Sequence, residues 1–342
     1  MRKKKSHNPE EARTPNSYQR DFLLVLAAVA VLPYVYYGER VLLVLGVSML
    51  GAAAGTAVFR LLRGVQEIPD LSCLTTGMLI GLMLPVNVPL FIPALASLFA
   101  VCVVREPFGE KGTHLLNPAA GGLAFVTVLW PETVFSYYNM KAGTGVTLWD
   151  GVCAVTSSPS AQLKKGFIPD LQPFDMLFGR YAGPMGATAA VVLAAGLVFL
   201  FARGDVDFRM PAGMLLGACL VVWLFPRIPA SPLTSLKFEI LAGGVLAVIL
   251  LQAADSASLP ATRAGKWTLG LAGGLLLMSM QYGGAYEQSG AFVVLLLGAL
   301  APLSDQLTGQ ASVWIQQRKQ RKGGEPHGKK PHRKEKGSTE TA

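Results

Sequence analysis

Charge is scarce in this sequence. Only 15% of its 342 residues are Asp, Glu, Lys or Arg, where a soluble domain carries about a quarter. Cysteine is scarce too: there are 4, and no two form a C-x-x-C pair. That leaves out a disulfide scaffold, a structural zinc site and a self-contained iron–sulfur site. No glycine-rich nucleotide fingerprint is present. No acid lies in the middle of any apolar segment: Asp70, Glu239 and Asp255 fall at segment ends. Proton relays and cation pumps place a carboxylate inside the membrane, so the chain does not read as a self-sufficient pump. A cleavable leader is not expected either. About 20 polar residues precede the first apolar run, and no A-x-A site follows it.

What is present is apolar. Apolar residues make up 51% of the chain, with 37 Gly and 22 Pro, and the mean hydropathy is +0.42. These values describe an integral membrane protein. Ten apolar segments are expected, at 22–37, 41–59, 71–85, 88–104, 115–130, 184–202, 210–225, 238–252, 267–281 and 290–304. A full helical span needs about 20 apolar residues. Several segments are shorter and interrupted by Gly or Pro, as at Leu84-Pro85 and Asn117-Pro118. Broken segments at membrane depth sit inside a bundle, where protein or ligand satisfies the freed backbone. The expected fold is therefore an all-α polytopic membrane protein.

The segments divide five and five around one polar stretch. The organisation read from the sequence is a basic tail (1–20), a first five-helix repeat (21–130), a loop (131–183), a second five-helix repeat (184–306) and a basic tail (307–342). An odd number of spans per half makes the halves inverted copies, and sites in such folds lie at the repeat interface. Third and fifth segments of the halves share a Gly/Leu-rich character, as in 76–85 against 242–251. Ten spans place both termini on one side. That side holds both tails with Arg60, Arg63, Arg105, Lys111, Arg203, Arg209, Arg263 and Lys266, 23 of the 30 basic residues. By the positive-inside rule the termini are cytosolic and the 131–183 loop is extracytoplasmic. The charged tails read as solvated. No aromatic is interleaved in the C-terminal one, so it offers no stacking platform for nucleic acid.

Asp70 and Asp255 each flank the third segment of a half. They read as interfacial end caps or as polar groups beside a ligand. The loop carries a hydroxyl cluster, Thr156, Ser157, Ser158 and Ser160. No His stands near it, so a Ser–His hydrolase is unsupported. From the residues alone it reads as a Ser-rich loop. Gly179, Gly183 and Gly186 precede the sixth segment. They read either as a helix entry or as a phosphate cradle at a helix start.

Five stretches in order carry a resemblance. They are Asp70-Leu-Ser-Cys-Leu-Thr-Thr-Gly through Leu-Met-Leu-Pro85, Phe108-Gly-Glu-Lys-Gly through Asn117-Pro-Ala119, Phe178-Gly-Arg-Tyr-Ala-Gly-Pro-Met-Gly-Ala-Thr188, Ala253-Ala-Asp through Gly265, and Tyr282-Gly-Gly-Ala-Tyr-Glu287 with Leu303-Ser-Asp305. Over 20–306 the chain resembles the RnfD/NqrB family. Its members are the RnfD subunit of the Rnf ion-translocating electron-transport complex and the related NqrB subunit of the sodium-pumping NADH:quinone oxidoreductase. The resemblance implies FMN joined through its phosphate to a threonine in a D-x-x-S-G-A-T motif, attached outside the cytosol by a separate flavin transferase. The match here is Asp150-Gly-Val-Cys-Ala-Val-Thr156. It keeps the acid and the acceptor, and replaces the Ser, Gly and Ala with Cys153, Ala154 and Val155. A shifted alignment puts Ser158, before Pro159, at the acceptor position. Loss of covalent flavin is the third alternative. A second GAT, ending at Thr188, lacks the upstream acid. The family's Glu in the glycine-rich turn is Ala187 here.

The resemblance thus implies a flavoprotein of the cell inner membrane, a redox subunit inactive alone. Its partners would be other membrane and cytosolic Rnf-type subunits. The candidate flavin residues are Thr156, Asp150, Ser158, Gly179, Gly183, Gly186, Asn117 and Asp255, and a second, non-covalent flavin inside the bundle stays open. Two other readings stand beside it: an inverted-repeat solute transporter or channel, and a scaffold subunit without cofactor.

Overall fold

The computed structural model describes residues 15–64, 70–108, 116–142, 145–229, 231–255 and 259–323. Most of both tails, residues 109–115 of the second family-like stretch and residues 256–258 of the fourth lie outside the described residues.

The chain is helical nearly throughout. The first half comprises α1 (Pro15–Tyr37), α2 (Arg40–Leu62), α3 (Leu71–Met83), α4 (Phe91–Phe99, continued by a π turn Ala100–Arg105) and α5 (Pro118–Leu129). The connection holds α6 (Pro131–Val134), β1 (Tyr137–Tyr138), β2 (Val155–Thr156), α7 (Pro159–Lys164) and α8 (Pro173–Phe178). The second half comprises α9 (Ala190–Arg203), α10 (Arg209–Leu224), α11 (Pro232–Ala242), α12 (Val245–Ala253), α13 (Arg263–Met280) and α14 (Ser289–Gly323). Each expected apolar segment falls on a helix, and the eighth falls on two.

Local chemistry sets the starts. Asn117, Ser158 and Ser231 cap α5, α7 and α11 through their side-chain oxygens, each followed by Pro at the first helical position. A capping oxygen satisfies an orphan N–H, and Pro needs none there. The Ser231 cap corrects one expectation. It starts α11 at Pro232, so Glu239 lies inside a helix and not at the end of a segment. Gly243 and Gly244 then bend the path by 46° between α11 and α12, with Gly244 in the left-handed region at φ 71.

Among the described residues, three helices are long and apolar enough to cross a membrane: Ser17–Tyr37, Arg40–Leu62 and Ser289–Gly309, or four if the bent pair α11–α12 is one span. The core joins both halves. Leu26, Ile80, Leu123, Val248 and Val294, on α1, α3, α5, α12 and α14, are all buried in one apolar cluster. Apolar side chains also point outward, among them Leu50, Leu62, Val198, Trp223 and Leu303. An outer surface of this kind suits a polytopic membrane protein.

Helices α10 and α13 cross backbone to backbone. Gly213 and Gly217 stand four apart on one, Gly270 and Gly274 four apart on the other. A Cβ at Gly217 would run into the Leu271 carbonyl, and one at Gly274 into the Met214 carbonyl. This is the small-residue packing by which helices associate where the surrounding solvent is itself apolar.

Candidate functional site: the loop between the halves

The loop is folded, not loose. β1 and β2 pair antiparallel, with Tyr137 opposite Thr156 and Tyr138 opposite Val155. Thr156 is half-buried and Ser157 exposed. The Thr156 hydroxyl has no hydrogen-bond partner among the described residues. Ser158 is buried, and its oxygen accepts from Ala161 N at 3.3 Å as the cap of α7.

Below the ribbon lies the connection between α13 and α14. There Glu287 is 4% exposed and Gln288 1%. Tyr137 Oη donates to Glu287 Oε2 at 3.4 Å, and the Ser158 side chain lies near the same carboxylate. Glu287 Oε1 and Gln288 Oε1 are buried without a partner among the described residues. Burial pushes the Glu287 carboxyl above the usual carboxylate range, against the nearby hydroxyls of Ser158 and Tyr137 and the field of Arg227. Gln288 Nε2 donates to the Met83 carbonyl, 3.0 Å away, at the broken end of α3. The same end receives Met185 N at Leu84 O (3.1 Å) and Gly186 N at Leu82 O (2.6 Å).

Arg40 holds the other side of the loop. Its guanidinium is buried at the start of α2 and donates to four carbonyls: Val86 (3.3 Å), Leu148 (2.5 Å), Trp149 (2.5 Å) and Val88 (2.7 Å). Asp150 is exposed, with its carboxylate in the field of Arg40. Next to this knot a cleft of about 380 Å³ is lined by Tyr36, Tyr37, Glu39, Arg40, Tyr138 and Leu148 among others. The rings of Tyr37 and Tyr138 meet edge to face at 5.8 Å. The cleft and Thr156 thus share the β1–β2 ribbon.

The glycine-rich turn borders the same cleft, since Tyr36 Oη donates to Phe178 O at 3.1 Å and the Arg180 guanidinium lies 5.8 Å over the Tyr36 ring. A Cβ at Gly179 would meet Thr188 Oγ1 at 2.7 Å, one at Gly183 would meet Thr188 Cγ2 at 2.8 Å, and one at Gly186 would meet Leu82 Cβ at 2.7 Å. The room these glycines leave is taken by the chain's own side chains. Asn117 is buried at the start of α5 and donates to Leu251 O at 2.8 Å. Asp255 lies just past α12, close enough for its charge to act on the Tyr18 hydroxyl. Helix α5 has 12 residues, a length of about 18 Å at 1.5 Å per residue, and it separates Asn117 from the loop. The structure therefore brings Thr156, Ser158 and Asp150 to one end and leaves Asn117 and Asp255 at the other. Asp70 is ion-paired with Arg60 at 3.2 Å and Arg105 at 3.8 Å.

Sequence reasoning missed Arg40, Tyr137 and Glu287 as site residues. Glu287 was within view as the acid of the fifth family-like stretch. A lone buried base such as Arg40 has no sequence signal beyond standing at the head of an apolar segment.

The sequence matches the NQR2, RnfD, RnfE family over residues 3–313. The chain belongs to that family. Among its relatives, the RnfD-type subunit of the Na(+)-translocating ferredoxin:NAD(+) oxidoreductase complex of Acetobacterium woodii is 30% identical over 86% of this chain and 89% of its own. The counterpart from the proton-translocating ferredoxin:NAD(+) oxidoreductase complex of Clostridium ljungdahlii is 26% identical over 83% and 87%. The corresponding subunit of the Na(+)-translocating NADH-quinone reductase of Pseudomonas aeruginosa is 28% identical over 70% and 60%. The family resemblance read from five short stretches is thereby established across the chain. The relatives' names describe subunits of ion-translocating electron-transfer complexes, and the apolar helices agree with a multi-pass membrane member.

Proposed function

We propose that this family member is the FMN-bearing membrane redox subunit of an ion-translocating oxidoreductase complex, with Thr156 as the attachment point. The observation that carries the reading is the placement of Thr156. Its hydroxyl is half-buried, uncommitted and on a ribbon whose neighbouring strand lines a tyrosine-walled cleft. The cleft volume lies within the range of small-molecule sites, and its aromatic edges suit a planar ring system. When bound, FMN supplies the electron relay. The chain's own contribution is to hold the attachment segment and to exclude water from one side of it. Arg40 fixes the segment before Asp150, and Tyr137 and Ser158 fix the residues around Thr156. Asp150 stays exposed, where a modifying enzyme could reach it.

The arrangement in the membrane belongs to the same reading. Ten spans as two inverted five-helix repeats are supported by a reciprocal pair of bonds. The residue before α5, Asn117, donates to the end of α12, and the residue before α14, Gln288, donates to the end of α3. The basic-residue imbalance favours cytosolic termini in a bacterial inner membrane and an extracytoplasmic loop. Partners would be the other subunits of the complex and, for maturation, a flavin transferase. Electrons would enter and leave through those subunits, and the chain would be inactive alone.

In-gel flavin fluorescence of the denatured chain, after co-expression with a flavin transferase, tests the reading. A fluorescent band that is lost in Thr156→Ala supports it. A band lost only in Ser158→Ala moves the acceptor. A dark wild-type band overturns covalent attachment and favours a scaffold subunit.

A further inference from the structure

Glu287 meets the modification segment from two directions. Tyr137, which donates to it, is the cross-strand partner of Thr156. Ser158, whose side chain lies near the same carboxylate, is two residues beyond Thr156 on the same strand path. Thr156 therefore sits between two residues that stand near one carboxylate. The carboxylate is itself immobilised. Its neighbour Gln288 is bonded to Met83 O at the broken end of α3, and a Cβ added at Gly244, at the bend between α11 and α12, would lie 3.9 Å from Glu287 Cβ and Cγ. Both breaks in the helical bundle thus converge beneath the ribbon at the Glu287–Gln288 step.

Nothing in a simple packing role requires an acid here. An apolar residue would fill the space without a desolvation cost, and burying a carboxylate is unfavourable unless it gathers donors. Here its side-chain donor is the Tyr137 hydroxyl, which comes from the loop, not from the helices. Glu287 Oε1 remains without a partner among the described residues, so this bond does not saturate the group.

We propose that Glu287 is the positioning residue of the acceptor segment: by accepting from Tyr137, the cross-strand partner of Thr156, it fixes residues 155–158 on the helical bundle in the geometry in which Thr156 is modified. This rests on the reading of Thr156 as acceptor, and the experiment separates the two. The whole chain, in its complex, is prepared with and without the flavin transferase. Amide hydrogen exchange at 155–158 is measured on the unmodified preparation, with the amides of α9 as the control for folding. Flavin per chain is measured on the modified one. The variants are Glu287→Ala, Glu287→Gln and Tyr137→Phe, the last keeping the buried ring and removing only the hydroxyl.

Glu287→Ala is expected to speed exchange at 155–158 about tenfold, the scale of one lost hydrogen bond to a charged group, with α9 unchanged. Flavin incorporation falls with it. Tyr137→Phe gives a smaller effect of the same kind, and Glu287→Gln, which keeps one acceptor oxygen, recovers part of both. Unchanged exchange in Glu287→Ala and Tyr137→Phe overturns the proposal. So does faster exchange with undiminished flavin incorporation. If the wild-type chain takes up no flavin, the acceptor reading fails by itself, and the exchange result still decides whether Glu287 fixes the segment.

Discussion

Gln288 spans the two halves of the chain, its amide nitrogen 3.0 Å from the Met83 carbonyl where α3 stops. Helix α3 ends short, before Pro85, and its last carbonyls have no continuing turn to accept from. Gln288 and the backbone N–H groups of Met185 and Gly186 supply the missing donors. Asn117 does the same for Leu251 O at the end of α12. Both side chains are buried, so neither bond is replaced by water. Gln288→Ala and Asn117→Ala should each lower stability by about 1–3 kcal/mol, the cost of a buried carbonyl left unpaired. The sites share no partner, so the two losses should add. Thermal melts of the detergent-purified variants check both statements, and a double variant no worse than either single one would count against them.

Gly151 is fixed by Arg40. Its φ is +68°, and a Cβ there would lie 2.7 Å from Asn87 O and 2.8 Å from Arg40 Nη2. Both the backbone conformation and the space exclude a side chain. Gly151→Ala should therefore release the 145–152 segment, measured as faster proteolysis within the loop, while the helices keep their exchange protection. Arg40→Lys should loosen the same segment. A lysine ammonium cannot reproduce a planar fork that reaches four carbonyls.

The helices were legible because apolar runs and S/N-Pro starts are local signals. The site was legible only in part. Thr156, Ser158 and Asp150 could be named from a motif, since they are close in sequence. Glu287 and Tyr137 are 150 positions apart, and no periodicity links them. Arg40 and Gly151 form a pair for the same non-local reason. The glycines 179, 183 and 186 were conspicuous in the sequence, yet what they admit, Thr188 and Leu82, could be known only from the folded chain. Glu239 was placed at a segment end because hydropathy rises after Phe238, whereas the cap that starts its helix is polar and lies outside the apolar run.

Asp207, in the connection between α9 and α10, ties that connection to α13. It binds Arg209 Nη1 at 2.6 Å and Lys266 Nζ at 2.9 Å. Burial works against its ionised form, but the Arg209 N–H, Lys266 and the Arg209 side chain outweigh it and hold the carboxyl below its ordinary value of 3.8. A depressed folded-state pKa stabilises the fold above the unfolded value and loses that contribution as pH falls through the folded one. Stability should thus drop on acidification below about pH 4. Asp207→Asn should be less stable at neutral pH and should show a shallower acid limb. Melts between about pH 3 and 7 on both proteins test the sign: an equally steep acid limb in the variant assigns the titration elsewhere.

Arg227 and Glu239 form a nearly closed ion pair, with side chains 8% and 2% exposed. Arg227 Nε lies 2.7 Å from Glu239 Oε1, and its other arm also reaches the carboxylate. The guanidinium sits over the Tyr282 ring at 4.3 Å, so the pair closes α11 against the connection that bears Glu287. The desolvation of two such charges offsets much of their attraction, whereas one charge left alone is strongly unfavourable. Glu239→Gln should therefore cost about 3–5 kcal/mol. The double replacement Arg227→Met with Glu239→Leu should recover most of that loss, because it removes both charges and keeps apolar volume. If fold stability is the pair's whole contribution, the double variant should also match wild type in flavin incorporation. Normal stability with reduced incorporation would instead show that the charge on Arg227 acts on Glu287, whose carboxylate lies in its field.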